Sequence, residues 1–152
     1  YEHGICLDVC AAGNSGYRGA NTIGYPGRYE SVACIGAYQQ NGSIANFSSG
    51  GREIDYAAPG QNIISTSARG GFQSMSGTSM ATPSFAGLLA LVIHKRRITG
   101  FPDIKGIKAW KEFFSTAGFL QDAGQSGWDP RFGFGKLLIE NILNWLKEPI
   151  NI

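Results

Sequence analysis

The 152-residue chain has no apolar stretch approaching the roughly 20 residues that span a bilayer, so no transmembrane helix is expected. A surplus of one charge is missing too. Thirteen basic against eleven acidic residues leave a formal +2, which gives no reason to invoke nucleic acid or an anionic membrane as partner. Cysteine is scarce and odd in number, at three. Cys6 and Cys10 fall in one expected strand, too far apart to bridge at about 3.3 Å per residue. A Cys10–Cys34 bridge has no support, so all three read as reduced, buried thiols. That mildly favours a cytoplasmic over a secreted setting without deciding between them. There is no signal peptide, and the chain opens at Tyr1 without methionine, which suggests a processed or truncated product.

What is present suits a globular α/β protein: 43% hydrophobic and 16% charged residues, with 22 glycines scattered between apolar runs. Ile5 to Ala12 reads as a strand buried on both faces, interrupted by Asp8, a carboxylate that needs a partner there. Further short strands are expected at Ser31 to Ala37, Glu53 to Ala58 and Asn62 to Thr66, and a hairpin or loop at Gly70 to Gly77. Ala81 to Ile93 reads as a largely buried helix. His94-Lys95-Arg96-Arg97 at its end offsets the helix dipole better than it forms a binding patch. Asp103 is placed to cap a helix through Ile107, Trp110, Phe113 and Phe114, ended by Gly118. After a polar loop with an exposed Trp128, Leu137 to Leu146 makes an amphipathic helix stopped by Pro149.

The chemistry centres on Gly77-Thr78-Ser79-Met80-Ala81-Thr82-Pro83. A serine at a helix start lies beside unpaired N–H groups and the positive end of the dipole, where a nucleophile and an oxyanion are stabilised together. An isolated serine there is more often only an N-cap. Asn14, likewise, is by itself a turn residue. Pro83 removes the N–H that would bond the Ser79 carbonyl, loosening the turn around the hydroxyl.

These segments together resemble the subtilisin-like serine proteases (subtilases, peptidase S8). Gly77 to Pro83 is similar to the family's nucleophile motif and Ala11-Ala12-Gly13-Asn14-Ser15-Gly16 to its oxyanion-asparagine motif. Tyr25 to Val32, Asn46 to Ser49, Ala58-Pro59-Gly60 and Phe132 to Leu137 resemble segments between and after them. Cys10 before Ala11 resembles the intracellular branch. The resemblance implies an α/β, parallel-sheet, subtilisin-like fold with helices on the sheet. The whole of 1–152 would be the C-terminal portion of a single peptidase domain.

On this resemblance Ser79 is the nucleophile of an acyl-enzyme mechanism, and Asn14 and the Ser79 N–H are oxyanion donors. Ala11, Ala12 and Gly13 line the S1 pocket, with Gly24 at its base, leaving room for a large apolar P1 side chain. No cofactor is required for the chemistry. The backbone carbonyls of Gly27, Tyr29 and Val32 match a loop that in many relatives faces Ca²⁺ or Na⁺, though a Pro-Gly turn without an ion reads equally well. The implied partners are a polypeptide substrate and the N-terminal part of the same domain.

The triad's histidine and aspartate are not matched by any motif here. His3 reads as a surface residue. His94 lies roughly 22 Å along the helix from Ser79 at 1.5 Å per residue. Two readings follow: the nucleophile-bearing fragment of a serine endopeptidase, inactive without its N-terminal part, or a non-catalytic binding or assembly module of the same fold. An α/β-hydrolase esterase is disfavoured, because no Gly-x-Ser-x-Gly elbow surrounds Ser79.

Overall fold

The computed structural model describes residues 7–149. In chain order the elements are β1 (Asp8–Ala11), β2 (Val32–Tyr38), β3 (Tyr56–Pro59), β4 (Ile63–Thr66), β5 (Phe72–Met75), α1 (Thr78–Ile98), α2 (Gly106–Thr116), β6 (Leu120–Gln121), β7 (Lys136–Leu137) and α3 (Ile139–Lys147). One sheet runs β1-β2-β3-β7-β6, parallel from β1 to β7 and antiparallel at β6. A separate antiparallel hairpin, β4–β5, leads into α1.

Strand β2 is buried along six of its seven residues and serves both faces of the sheet. Ala33, Ile35 and Ala37 alternate into the main core, and Cys34 into a smaller cluster with Ala12, Ile23 and Ile54. Helix α1 lies across β1, β2 and β3. Its buried residues Ala81, Phe85, Leu89 and Val92 recur at three and four positions, giving one inward stripe. Tyr56 of β3 stacks on Phe85, and Trp110, Phe114 and Phe119 complete an aromatic core.

Several expectations change. Among the described residues strand β1 is the edge of the sheet and pairs only with β2, so it is half-buried and Asp8 is exposed and needs no partner. Ile5 and Cys6 lie outside the described residues. Helix α1 is not largely buried, since Leu91 is exposed on its outer side. Asp103 does not cap α2; the N-cap is Lys105, and Asp103 instead pairs with Arg97 at 2.9 Å. Leu137 ends β7 and not α3, because Leu138 to Phe119 hydrogen bonding continues the strand's path.

The basic end of α1 has a second use. Lys95 is buried, and its ammonium donates to the carbonyls of Trp145 and Glu148 (3.0 Å to Glu148), which closes the C-terminus of α3. Cys10 and Cys34 are register neighbours on β1 and β2, and both are free thiols. Among the described residues no helix is long and apolar enough to cross a membrane.

Candidate active site

Three backbone segments meet at the carboxyl ends of β1 and β3. The first turn after β1 bends at Gly13, whose φ of +109° is left-handed backbone that favours glycine. Its carbonyl accepts from the Ser49 N–H at 2.9 Å, and the buried Ser49 hydroxyl accepts from the Ser15 N–H at 3.1 Å. The Asn46 to Ser49 segment therefore pins the loop that carries Asn14. After β3, the Gly60 carbonyl accepts from the Gly77 N–H at 2.8 Å. A Cβ on Gly60 would lie 2.6 Å from Ala37 Cβ and 2.9 Å from the Gly77 carbonyl oxygen, so only glycine lets the helix start come this close.

Helix α1 begins at Thr78 with Gly77 as N-cap and no side-chain capping bond. Ser79 is therefore the second helical residue and not the cap, which removes the bland reading of its hydroxyl. It is exposed, while Thr78 beneath it is buried. Of the N–H groups in this first turn, that of Thr78 donates to Asn14 Oδ1 and that of Met80 to the Gly77 carbonyl at 3.0 Å, which leaves the Ser79 N–H without an acceptor among the described residues. At the next turn Pro83 lacks the N–H that would bond the Ser79 carbonyl.

Thr78 connects the two motifs. Its hydroxyl accepts from the Gly13 N–H at 3.1 Å and donates to Asn14 Oδ1 at 3.0 Å, and its own N–H donates to the same oxygen at 2.9 Å. A backbone N–H can only donate, so the amide face turned to Thr78 is the oxygen, and Nδ2 points the other way. A Cβ built on Gly77 would lie 3.4 Å from Asn14 Nδ2 and 3.7 Å from the Ser79 nitrogen. Both nitrogens therefore lie within 3.7 Å of one point at the helix start. The motif contains Thr78, yet nothing in the spacing reveals that it orients Asn14 across 64 residues.

The residues expected at S1 are brought together. The Gly24 N–H donates to the Ala12 carbonyl at 3.0 Å, and Gly27 packs against the Ala11 carbonyl. Ala12 turns its methyl into the small core cluster, so it meets Gly24 through backbone rather than side chain. Ala11 and Gly13 are half-buried and Gly24 is exposed.

Of the loop residues expected near a cation, Gly27 stays beside the Ala11 carbonyl, while Tyr29 and Val32 lie toward the other end of the sheet, where β2 and β3 begin. Tyr29 and Val32 line a cleft there of about 620 Å³, shared with Glu53, Asp55 and Lys111. The Tyr29 carbonyl already accepts from the Val32 N–H at 3.3 Å.

No base reaches Ser79 among the described residues. His94 lies on the exposed side of α1 beyond Val92, and His3 is outside the described residues. The thiols do not substitute: burial pushes Cys34 far up from the ordinary thiol value, and burial and then Asp8 raise Cys10, so both remain protonated and poorly nucleophilic.

Comparison with known proteins shows the family. The profile of the peptidase S8 group, the subtilase family, matches residues 2–135. The chain is 41% identical over 140 residues to Subtilisin DY of Bacillus licheniformis, across 91% of this chain and 46% of that protein. It is 46% identical over 88 residues to the Intracellular serine protease of Paenibacillus polymyxa, across 57% of this chain and 27% of the relative. Among solved structures, the Prenylagaramide maturation protease PagA superposes with a TM-score of 0.75 at 25% identity, covering 95% of this chain and 52% of that one. The chain spans about half the length of Subtilisin DY and of the PagA structure, and less of the intracellular protease.

Proposed function

Since this chain belongs to the subtilase family, we propose that it carries the nucleophile and oxyanion site of a serine endopeptidase. The observation that carries the proposal is that Thr78 holds Asn14 by its oxygen, with Nδ2 and the Ser79 nitrogen both within 3.7 Å of a Cβ built on Gly77, two residues before the exposed Ser79.

In this reading Ser79 Oγ attacks a peptide carbonyl and its proton passes to a histidine supplied by another part of the catalytic domain. The carbonyl oxygen, now bearing the charge, takes hydrogen bonds from Asn14 Nδ2 and the Ser79 N–H. Collapse of the intermediate expels the amine, which takes the proton back from the histidine. Water then hydrolyses the Ser79 acyl ester by the same route. Asn14 is held before substrate arrives, because both of its oxygen's partners belong to Thr78, so the donor costs no reorganisation during the reaction.

The substrate is a polypeptide. The backbone of Ala11, Ala12 and Gly13, with Gly24 at the base, leaves room for a large apolar P1 side chain. The partner is the N-terminal portion of the same domain. The open edge of β1 supports this, because among the described residues it pairs on one side only and so presents unpaired N–H and C=O groups that a further strand would take up.

A fluorophosphonate probe tests the proposal. Labelling of the full-length protein at Ser79, abolished in Ser79→Ala, is expected, while residues 1–152 alone label weakly and hydrolyse peptides negligibly. Absence of labelling in the full-length protein points instead to a non-catalytic binding module. Robust peptidase activity from the 152 residues alone would overturn the requirement for an outside base.

A further inference from the structure

The cleft at the amino ends of β2 and β3 has oxygen donors in the expected cation-facing loop and two carboxylates nearby, Glu53 and Asp55. A hard cation such as Ca²⁺ takes six to eight such oxygens. The side chains are already committed elsewhere. Asp55, 4% exposed, receives the Lys111 ammonium on Oδ1 at 2.6 Å and the Cys34 N–H on Oδ2 at 2.9 Å. Glu53 receives Arg52 Nε on Oε1 at 2.8 Å and Asn21 Nδ2 on Oε2 at 2.5 Å. Among the described residues no group of three His, Cys, Asp or Glu side chains is arranged to hold a metal. The donor set does not fit a bound cation.

We infer that Lys111 is a built-in substitute for that cation, and that this cleft is closed to Ca²⁺ and Na⁺ as long as Lys111 is present. A buried carboxylate needs a counter-charge, and leaving it alone is far costlier than pairing it. A metal would supply that charge only at sufficient free concentration. Lys111 supplies it covalently. Its helix is anchored on the core by Trp110 and Phe114, on either side of Lys111 in sequence, which fixes the ammonium over the start of β3. Removal of the ammonium alone would leave the Asp55 carboxylate beside the Tyr29 and Val32 backbone in a cleft of this size, which is what an oxygen-binding ion requires.

The test is a CaCl₂ titration of the full-length protein, read by thermal unfolding and by calorimetry, with the Asp55-dependent part isolated by comparison. The wild type and Asp55→Asn are expected to show the same calcium-induced rise in Tm, because calcium bound anywhere else affects both equally. Lys111→Met and Lys111→Gln are expected to gain one additional calcium equivalent and a further rise of about 5 °C near saturation. Lys111→Arg and the double variant Lys111→Met with Asp55→Asn gain neither. A calcium response of the wild type that falls on Asp55→Asn would overturn the inference. So would the absence of any gain in both neutral Lys111 variants. Should an Asp55 variant fail to fold, the calorimetric stoichiometry of wild type against the two neutral variants decides the same question.

Discussion

Thr78 grips Asn14 by the oxygen end of its amide, with hydroxyl and backbone N–H both directed at Oδ1, 3.0 and 2.9 Å away. The same hydroxyl accepts from Gly13, so one buried side chain joins the helix start to the loop carrying the asparagine. The amide end that remains, Nδ2, is turned outward by default.

Thr78→Val should therefore weaken catalysis without removing a group that touches substrate. Two hydrogen bonds of about 1 kcal/mol each are lost, the one to Asn14 Oδ1 and the one from the Gly13 N–H, so on the proposed function kcat of the full-length protein is expected to fall about tenfold or more with KM little changed. Thr78→Ser should recover most of it. Steady-state kinetics on a peptide anilide read both numbers, and a change confined to KM would contradict the orienting role.

Gly77→Ala separates activity from folding. Its φ of 160° is extended backbone, and the new methyl would have its nearest neighbours at 3.4 to 3.7 Å, which is ordinary contact. The methyl would nevertheless stand within 3.7 Å of both Asn14 Nδ2 and the Ser79 nitrogen. Tm is expected to move by no more than a few degrees, while kcat falls about tenfold or more. Full activity in this variant would place the oxyanion elsewhere.

The Tyr56 hydroxyl is buried and has no hydrogen-bond partner among the described residues, although its ring stacks on Phe85 at 5.3 Å. An orphaned buried hydroxyl costs about 1–3 kcal/mol. Tyr56→Phe keeps the stacking and removes that cost, so urea unfolding should show unchanged or higher stability, by about 1 kcal/mol. A clear loss would reveal a partner for the hydroxyl.

Alkaline pH should destabilise the fold through Cys34. Burial, reinforced by the Asp55 charge, holds this thiol's pKa well above its ordinary value. Above about pH 8.5 the unfolded chain releases the thiol proton and the folded chain keeps it, so folding binds a proton and stability falls as pH rises. The slope attributable to one such group approaches about 1.4 kcal/mol per pH unit. Cys34→Ala should flatten the stability–pH curve above pH 9 by that amount, and an unchanged slope would count against the buried, protonated thiol.

Much of the architecture was legible because it rests on local pattern. The alternating Ala33, Ile35 and Ala37 mark β2, the run around Trp110 and Phe114 marks α2, and Gly77 to Pro83 marks the serine helix. Errors arose where a neighbour in space decides. Asp8 looks like a charge in a buried strand, but exposure depends on β1 lying at the sheet edge. Asp103 has a capping residue's chemistry, but Arg97 is close enough to take it. Lys95 reads as a dipole-offsetting surface charge, yet α3 packs over it and turns it into a buried donor to two carbonyls.

The sequence by itself determined the family, the helix that bears Ser79, and the residue types on which the proposed acyl-transfer site rests, because these are short ordered motifs whose chemistry depends on neighbours in the chain. Only the tertiary structure decided that Asn14 is held by Thr78 with its donor end free, and that Lys111 occupies the charge-balancing position beside Asp55. Both are contacts between residues more than fifty positions apart. Hydrogen-bond direction and burial are properties of the packed fold, and no spacing along a single chain encodes them.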